Sequence, residues 1–419
     1  MGIQSRGHYE AIQAREEIKN VNAVNSSVFF RNRARGDATW QPFRFRLVGC
    51  SMKPKRLALA ALLLAVAIGM GLWLGRPSRP QMEQAERTGG NKPNGSAGLP
   101  VPVRSAVELA LKSAASALAT ARTAEQREQA LVQLRQAVVS GATDEIAAAM
   151  GKFLDEKGDA ATGQGFKIGG GGQLLEAPTL RTWLLDQWGT IDPETAAAYA
   201  RVILRQPESP DEWAIAMRNL ARGDASAAGR ALLEVKTGEL LRNESWQQNP
   251  SIGYLEAFDT AVHLGGTSLL PALADLVRKK DNPAVAHAAF LTLDRLVIDR
   301  PVDTLAALAQ HPEWMQGREE TRANYFARAD VSDAAQRRLL EAYLQDPART
   351  PVELRAFAGV FPNANFMVSQ NLLTTSVTID GATLRRRDQA ALEAINEWLN
   401  DPRFAAWRES LLKLRDRLN

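Results

Sequence analysis

From Ser105 to the C-terminus, apolar residues recur every three or four positions behind a regular set of helix-start signals. Val107, Leu111, Ala114 and Leu118 fall on one helical face, as do Leu131, Leu134 and Val138. Trp213, Met217 and Leu220 form another stripe, and Leu255, Phe258 and Val262 a further one. Leu269, Leu273, Leu276 and Val277 share a face, and so do Val285, Ala289, Leu293 and Leu296. Four Ser/Thr-x-x-Glu/Gln patterns predict reciprocal capping boxes: Ser105/Glu108, Thr123/Gln126, Ser209/Glu212 and Thr350/Glu353. Pro210 and Pro351 sit at first helical positions, where the missing N–H costs nothing, and Asp192-Pro193 and Asn282-Pro283 open helices in the same way. The pattern predicts an all-α fold.

Each periodic stretch ends at Gly, Asp-Pro or Asn-Pro, and two successive stretches make a unit of roughly 32–38 residues, the size that stacks as an α-solenoid. The helical-repeat domain is expected over 104–360. Two segments interrupt the periodicity. Lys157–Gln173 is Gly-rich and reads as a flexible surface loop; its four glycines, 169–172, lack the Lys-Ser/Thr pair of a phosphate loop. An irregular insertion spans 361–387, where Thr374–Ile379 followed by Asp380-Gly381 predicts a short β-hairpin near 374–385. Helices at about 388–400 and 402–418 should then cap the array, packed down by Trp398, Phe404, Trp407 and Leu411.

The helical body is preceded by a different kind of chain. Leu57 to Gly75 is free of charge and, at 1.5 Å per residue, makes roughly 28 Å of helix, enough to cross a bilayer core. Lys53, Lys55 and Arg56 flank it on the N-terminal side, which places the N-terminus in the cytoplasm. The end of the run has no small-x-small cleavage site, so an uncleaved signal anchor is expected. Residues 76–103 have the Pro/Gly/Ser composition of a stalk. Residues 1–51 carry no sustained apolar period, and Met52, with the basic flank 52–56, has the form of a natural start. Cys50 follows Leu47-Val48-Gly49 like a lipidation site, but the apolar run comes after it instead of before, and Met1-Gly2 is followed by Arg6 where myristoylation needs Ser or Thr.

Within the body, Ser268–Pro301 combines a Pro in its first helix, an Asp-Asn-Pro turn and an Ala-rich second helix, and this resembles a HEAT-type repeat. The stretch from Trp188 through Asp192-Pro193 to Ala200 is similar to the Trp…Asp-Pro…Ala units of bacterial helical-repeat proteins. Together these segments cover about a third of the chain. The tetratricopeptide pattern fails, because its Gly and Tyr positions are missing. The resemblance implies a curved helical scaffold of the kind used for protein contacts.

Charge narrows the partners. The net charge is +4, but sixteen of the 51 basic and only six of the 47 acidic residues precede Ser105, leaving the body net acidic. A nucleic-acid binder would carry its basic surface on the body, so no nucleic-acid partner is expected. One cysteine excludes a disulfide framework. His263, His287 and His311 are each 24 residues apart and never at helical ligand spacing, so no metal is expected, and no motif points to a cofactor. Glu194, Glu212 and Glu353 lie in first turns, where the helix dipole accounts for them.

The functional expectation is a single-pass protein of the cell inner membrane. Its helical-repeat body would lie outside the cytoplasm and bind a protein partner, without catalysis. Phe166 and Lys167 in the Gly-rich loop and Arg385, Arg386 and Arg387 at the end of the insertion are the expected contacts, because long loops in a regular array carry specificity. The alternatives are a cell-envelope hydrolase acting on glycan or peptide, and a secreted soluble helical protein.

Overall fold

The computed structural model describes residues 105–365, 367–376 and 379–419, together with the two-residue strand Ser27–Val28. The expected membrane segment 57–75, the stalk and the start at Met52 lie outside these residues. Among the described residues, no helix is long and apolar enough to cross a membrane.

Helix accounts for 72% of the interpretable chain, which makes the class all-α. Helices α1 (Ala106–Thr120), α2 (Ala124–Ser140) and α3 (Thr143–Asp155) come first. After a hairpin of β2 (Lys167–Ile168) and β3 (Leu174–Glu176) follow α4 (Leu180–Ile191), α5 (Pro193–Ile203), α6 (Pro210–Gly223) and α7 (Ala227–Leu241). Three short helices, α8 (Glu244–Gln248), α9 (Ile252–Glu256) and α10 (Asp259–Leu264), lead into α11 (Leu270–Val277), α12 (Pro283–Asp299) and α13 (Pro301–Gln310). Then come α14 (Glu319–Phe326), α15 (Ala334–Gln345), α16 (Pro351–Val360), α17 (Gly381–Asn400) and α18 (Arg408–Leu418). The strand β1 (Ser27–Val28) pairs antiparallel with β4 (Met367–Val368).

Helices pack on their sequence neighbours and on the next but one: α1 on α2 and α3, α4 on α5 and α6, α14 on α16 and α16 on α18. The apolar stripes supply the core, with Val107, Leu111, Leu131, Leu134, Trp213, Met217, Leu273 and Leu293 all at most 2% exposed. One expected helix is broken: Leu255 lies in α9, Phe258 in the turn that follows and Val262 in α10, and Leu255 is only partly buried.

Five inter-helix ion pairs join residues 31 to 36 positions apart. Arg181 pairs with Glu212, Arg218 with Asp186, Arg295 with Asp259, Arg328 with Asp294 and Arg322 with Glu353, at separations of 31, 32, 36, 34 and 31 residues. These ties change the capping picture. Only Thr123/Gln126 closes as a reciprocal box. Ser105, Ser209 and Thr350 do accept the expected backbone N–H, but the glutamates leave for a cation. Glu108 takes Lys152 at 2.8 Å, Glu212 takes Arg181 at 2.9 and 3.0 Å, and Glu353 takes Arg322 at 2.7 and 2.9 Å. A charge-assisted bond to a guanidinium or ammonium is stronger than one to a backbone amide, so the inter-helix partner wins.

Two irregular segments also differ from expectation. The Gly-rich stretch is an ordered hairpin, with Lys167 opposite Glu176 and Ile168 opposite Leu174 across a register shift. Within the expected hairpin near 374–385, Thr375 forms an isolated antiparallel bridge with Gln370, residues 377–378 lie outside the described residues, and α17 starts at Gly381. Asp380 is its N-cap, accepting the N–H groups of Ala382 and Thr383, so Asp380-Gly381 opens a helix instead of turning a hairpin. Trp398, Phe404, Trp407 and Leu411 are buried as expected.

Candidate functional site

Helix α6 is where both irregular segments attach. Eight consecutive residues, Trp213 to Leu220, are buried, because the helix is covered on every side by α4, α5, α7 and α9. A buried stretch of this kind must satisfy its polar residues internally. Arg218 does so with a fully buried partner, Asp186 of α4, whose carboxylate also accepts the Leu174 N–H of β3 at 3.0 Å. The Arg218 guanidinium donates to the Gly172 carbonyl at 2.7 Å and to Asn219 Oδ1 at 2.9 Å, and Asn219 in turn donates to the Leu185 carbonyl at 2.8 Å. The hairpin is thus fastened to α4 and α6 through its main chain.

One turn further along α6, Arg222 reaches both segments. It donates to the Gly171 carbonyl in the hairpin and, at 2.8 Å, to the Leu372 carbonyl in the later insertion. Gly172 has φ +75°, and a Cβ there would lie 2.1 Å from the Leu372 carbonyl oxygen, so the two backbones meet at a place only glycine allows. Leu372 itself is fully buried. The following residues are held by Asp259 at the start of α10, which accepts the N–H groups of Leu373 at 2.7 Å and Thr374 at 2.9 Å. Arg295 of α12 donates to Asp259 at 2.7 Å and also to the Thr374 hydroxyl. Segments some 200 positions apart in sequence thereby become one surface (Gly171 to Leu372).

The groups around this junction are perturbed in ways that follow from burial. The Arg222 guanidinium is pushed down by desolvation and by the charge of Arg218, against the pull of Asp186. Burial raises the Glu256 carboxyl to about 7, and the charge of Asp259 adds to the effect. His263 is lowered by desolvation, with Asp259 opposing and Arg230 and Arg222 reinforcing the shift. Burial also raises Asp299, partly offset by Arg295 and Arg300. The most deeply buried carboxylates, Asp186 and Glu353, are each engaged by arginine, so their observed role is to hold helices together.

The expected contact residues separate into two groups. Phe166 is 8% exposed and packs against Gly253, where an added Cβ would sit 2.9 Å from its ring. Its aromatic ring therefore anchors the hairpin instead of presenting to a partner, since an apolar side chain preceding a half-exposed strand gains more from the core. Lys167 remains 41% exposed and pairs with Glu176 at 3.3 Å. Arg385, Arg386 and Arg387 lie in the first two turns of α17. Arg385 and Arg386 are exposed, Arg386 bonding Thr383 at 2.9 Å, whereas Arg387 is tied to Asp330 at 2.9 Å. His263, His287 and His311 sit on separate elements, His311 stacking on Trp314 at 4.2 Å. Among the described residues, no group of three His, Cys, Asp or Glu could hold a metal ion.

Arg218, Arg222 and Asp259 were not among the expected site residues. A usable signal existed: opposite charges one repeat unit apart, Asp186 with Arg218 and Asp259 with Arg295, each inside an otherwise apolar helix face. No family model, curated protein or solved structure matches the chain.

Proposed function

We propose that this protein is a membrane-anchored helical-repeat scaffold that binds a protein partner on the surface where its two irregular segments join. The observation that carries the reading is the joint clamp on Arg222 and Asp259. Long loops are normally mobile and would lose conformational entropy on binding. Here hydrogen bonds to the main chain and side chains of the two segments, from α4, α6, α10 and α12, hold them in one arrangement. A pre-organised surface of this kind is what a docking face requires. Leu175 (59% exposed), Lys167 and the exposed Gly170, Gly171 and Gln173 are accessible positions on the hairpin.

The 31–36-residue spacing of five of the inter-helix ion pairs supports the repeat reading, and successive stacked units would give an extended face for the partner. The apolar run 57–75 would serve as the inner-membrane anchor, with 76–103 as stalk and the body outside the cytoplasm. The test compares the full-length chain with its Gly172→Val variant. Crosslinking in native membranes should capture a defined polypeptide with the wild type and lose it with the variant, whose helical content should persist. Equal capture by both would contradict the proposal.

A further inference from the structure

The strand β4, Met367–Val368, is fastened on both flanks by contacts that do not involve it. Before it, Asn363 donates its N–H to the Ala327 carbonyl at 2.7 Å, and Arg328 donates to the Asn365 carbonyl at 2.6 Å. After it, the Ser369 N–H donates to the Ser376 hydroxyl at 3.4 Å, Gln370 bridges Thr375, and Asp259 accepts from Leu373 and Thr374. A strand fixed in this way keeps its own N–H and C=O groups in extended geometry, and the edge it presents is a template for another strand. The structure shows what it accepts. Ser27–Val28 of β1 lies antiparallel along it, with Ser27 opposite Val368 and Val28 opposite Met367. Among the described residues, β1 is its only strand partner.

Given the membrane anchoring proposed for this chain, on which the inference rests, β1 cannot fill that place in the inserted protein. A single crossing over 57–75 puts residues 1–56 and the body on opposite faces of about 30 Å of hydrocarbon, whereas a main-chain hydrogen bond spans about 3 Å. A chain that begins at Met52 lacks the strand altogether. In both cases the β4 edge is open to another chain, and it precedes the buried Leu372 of the junction by only a few positions. We propose that β4 is a strand-addition site: it binds an extended segment of the partner protein, antiparallel and through the main chain, where Ser27–Val28 lies in the structure.

Main-chain pairing sets the class of segment. It must be extended and must offer its N–H groups, so proline is excluded at the pairing positions. The segment seated there runs Ser27-Val28-Phe29-Phe30, and β-branched and aromatic residues are those that fit a strand. Two residues of ladder are marginal by themselves, so the partner's strand adds to the docking face on the hairpin and does not replace it. The chain's own arm competes for the same edge only where it is tethered on the same side, at an effective concentration in the millimolar range.

Disulfide trapping on the full-length chain tests this, with the native Cys50→Ser change and Val368→Cys as the reporter. The probe is a peptide of residues 24–31 with Cys in place of Ser27. Directly opposite residues of an antiparallel pair have Cα atoms about 4.5–5.5 Å apart, within disulfide reach. In proteoliposomes with the body facing outward, trapping in a glutathione buffer should exceed that at a Val139→Cys control by about fivefold or more. A peptide methylated on both main-chain nitrogens 27 and 28 should be trapped about fivefold less, the worth of one main-chain hydrogen bond. Adding Ser27→Pro/Val28→Pro to the protein should raise trapping about twofold or more in detergent micelles, where the arm competes, and leave it unchanged in the proteoliposomes. Equal trapping of the methylated peptide, equal trapping at position 139, or no adduct at 368 in either medium would each overturn the proposal. A rise with the proline pair in the proteoliposomes as well would uphold the strand site and overturn the membrane topology.

Discussion

Replacing Arg218 by Met keeps the unbranched stem of the side chain and its packing while removing the guanidinium and its charge. In the folded protein this strands the Asp186 carboxylate, which is 1% exposed and keeps only the Leu174 N–H and the Gln187 amide as partners. Removing one member of a buried ion pair costs about 3–5 kcal/mol, because the remaining charge loses its compensation. The Gly172 carbonyl loses its 2.7 Å donor as well, which adds about 1–3 kcal/mol where water does not enter. For a domain of this size each kcal/mol lowers the melting temperature by about 2 °C, so a fall of about 8–16 °C is expected. The second half of the cycle is Asp186→Leu in the Arg218→Met background. It removes the stranded charge, so the double variant should be more stable than Arg218→Met alone, with a coupling of about 1–3 kcal/mol. Thermal melts of the four proteins by circular dichroism measure this. A loss below about 1 kcal/mol for Arg218→Met, or strictly additive effects, would refute the view that this pair fastens α4 to α6.

Three further outcomes follow from named contacts. Trp213 is 2% exposed, stacks edge-on against Trp246 at 5.2 Å and donates to the Gln206 carbonyl, so Trp213→Ala should cost about 3–5 kcal/mol against about 0.5–2 kcal/mol for Ser209→Ala, read from denaturant midpoints. Gly171 and Gly172 share a positive φ, but a Cβ on Gly171 meets nothing within 4 Å while one on Gly172 strikes Leu372, so Gly171→Ala should cost about 1 kcal/mol and Gly172→Ala clearly more; equal melts would contradict the contact between the two segments. Glu256 titrates at about 7 in the folded protein, above its unfolded value of 4.5, so the folded state holds the proton more tightly. Its burial therefore costs nothing below the unfolded value, and stability declines as pH rises from about 4.5 to about 7 before levelling. Glu256→Gln should flatten that decline in melts between pH 5 and pH 8, and a parallel pH profile for both proteins would contradict the assignment.

The helical body was legible because its information is local. The stripe Val107, Leu111, Ala114, Leu118 is buried residue for residue, since a 3.6-residue period and a Ser cap suffice to specify one face. What failed were features whose cause lies elsewhere in the chain. Glu212 and Glu353 have the right spacing for a box, but Arg181 and Arg322, 31 residues away, compete for them. Asp380-Gly381 has the composition of a turn, and only the helix that follows it makes Asp380 a cap. The glycines 169–172 read as flexibility, whereas Gly172 is there because the Leu372 backbone passes within reach. Arg218 and Asn219 lie next to the stripe Trp213, Met217, Leu220, and they are buried because α4, α5, α7 and α9 cover the helix on every side.

The central claim is that the joined hairpin and insertion form the partner-docking face. A photo-crosslinking amino acid placed singly at Leu175, on the exposed side of the hairpin, and at Val139, 86% exposed on α2, tests it most directly in the full-length chain in its native membrane. Irradiation should yield one dominant adduct from position 175 that mass spectrometry identifies as a single protein, and that adduct should disappear when Gly172→Val is added. Position 139 should give no such product. Adducts from position 139 alone, or from both positions irrespective of Gly172→Val, would contradict the account.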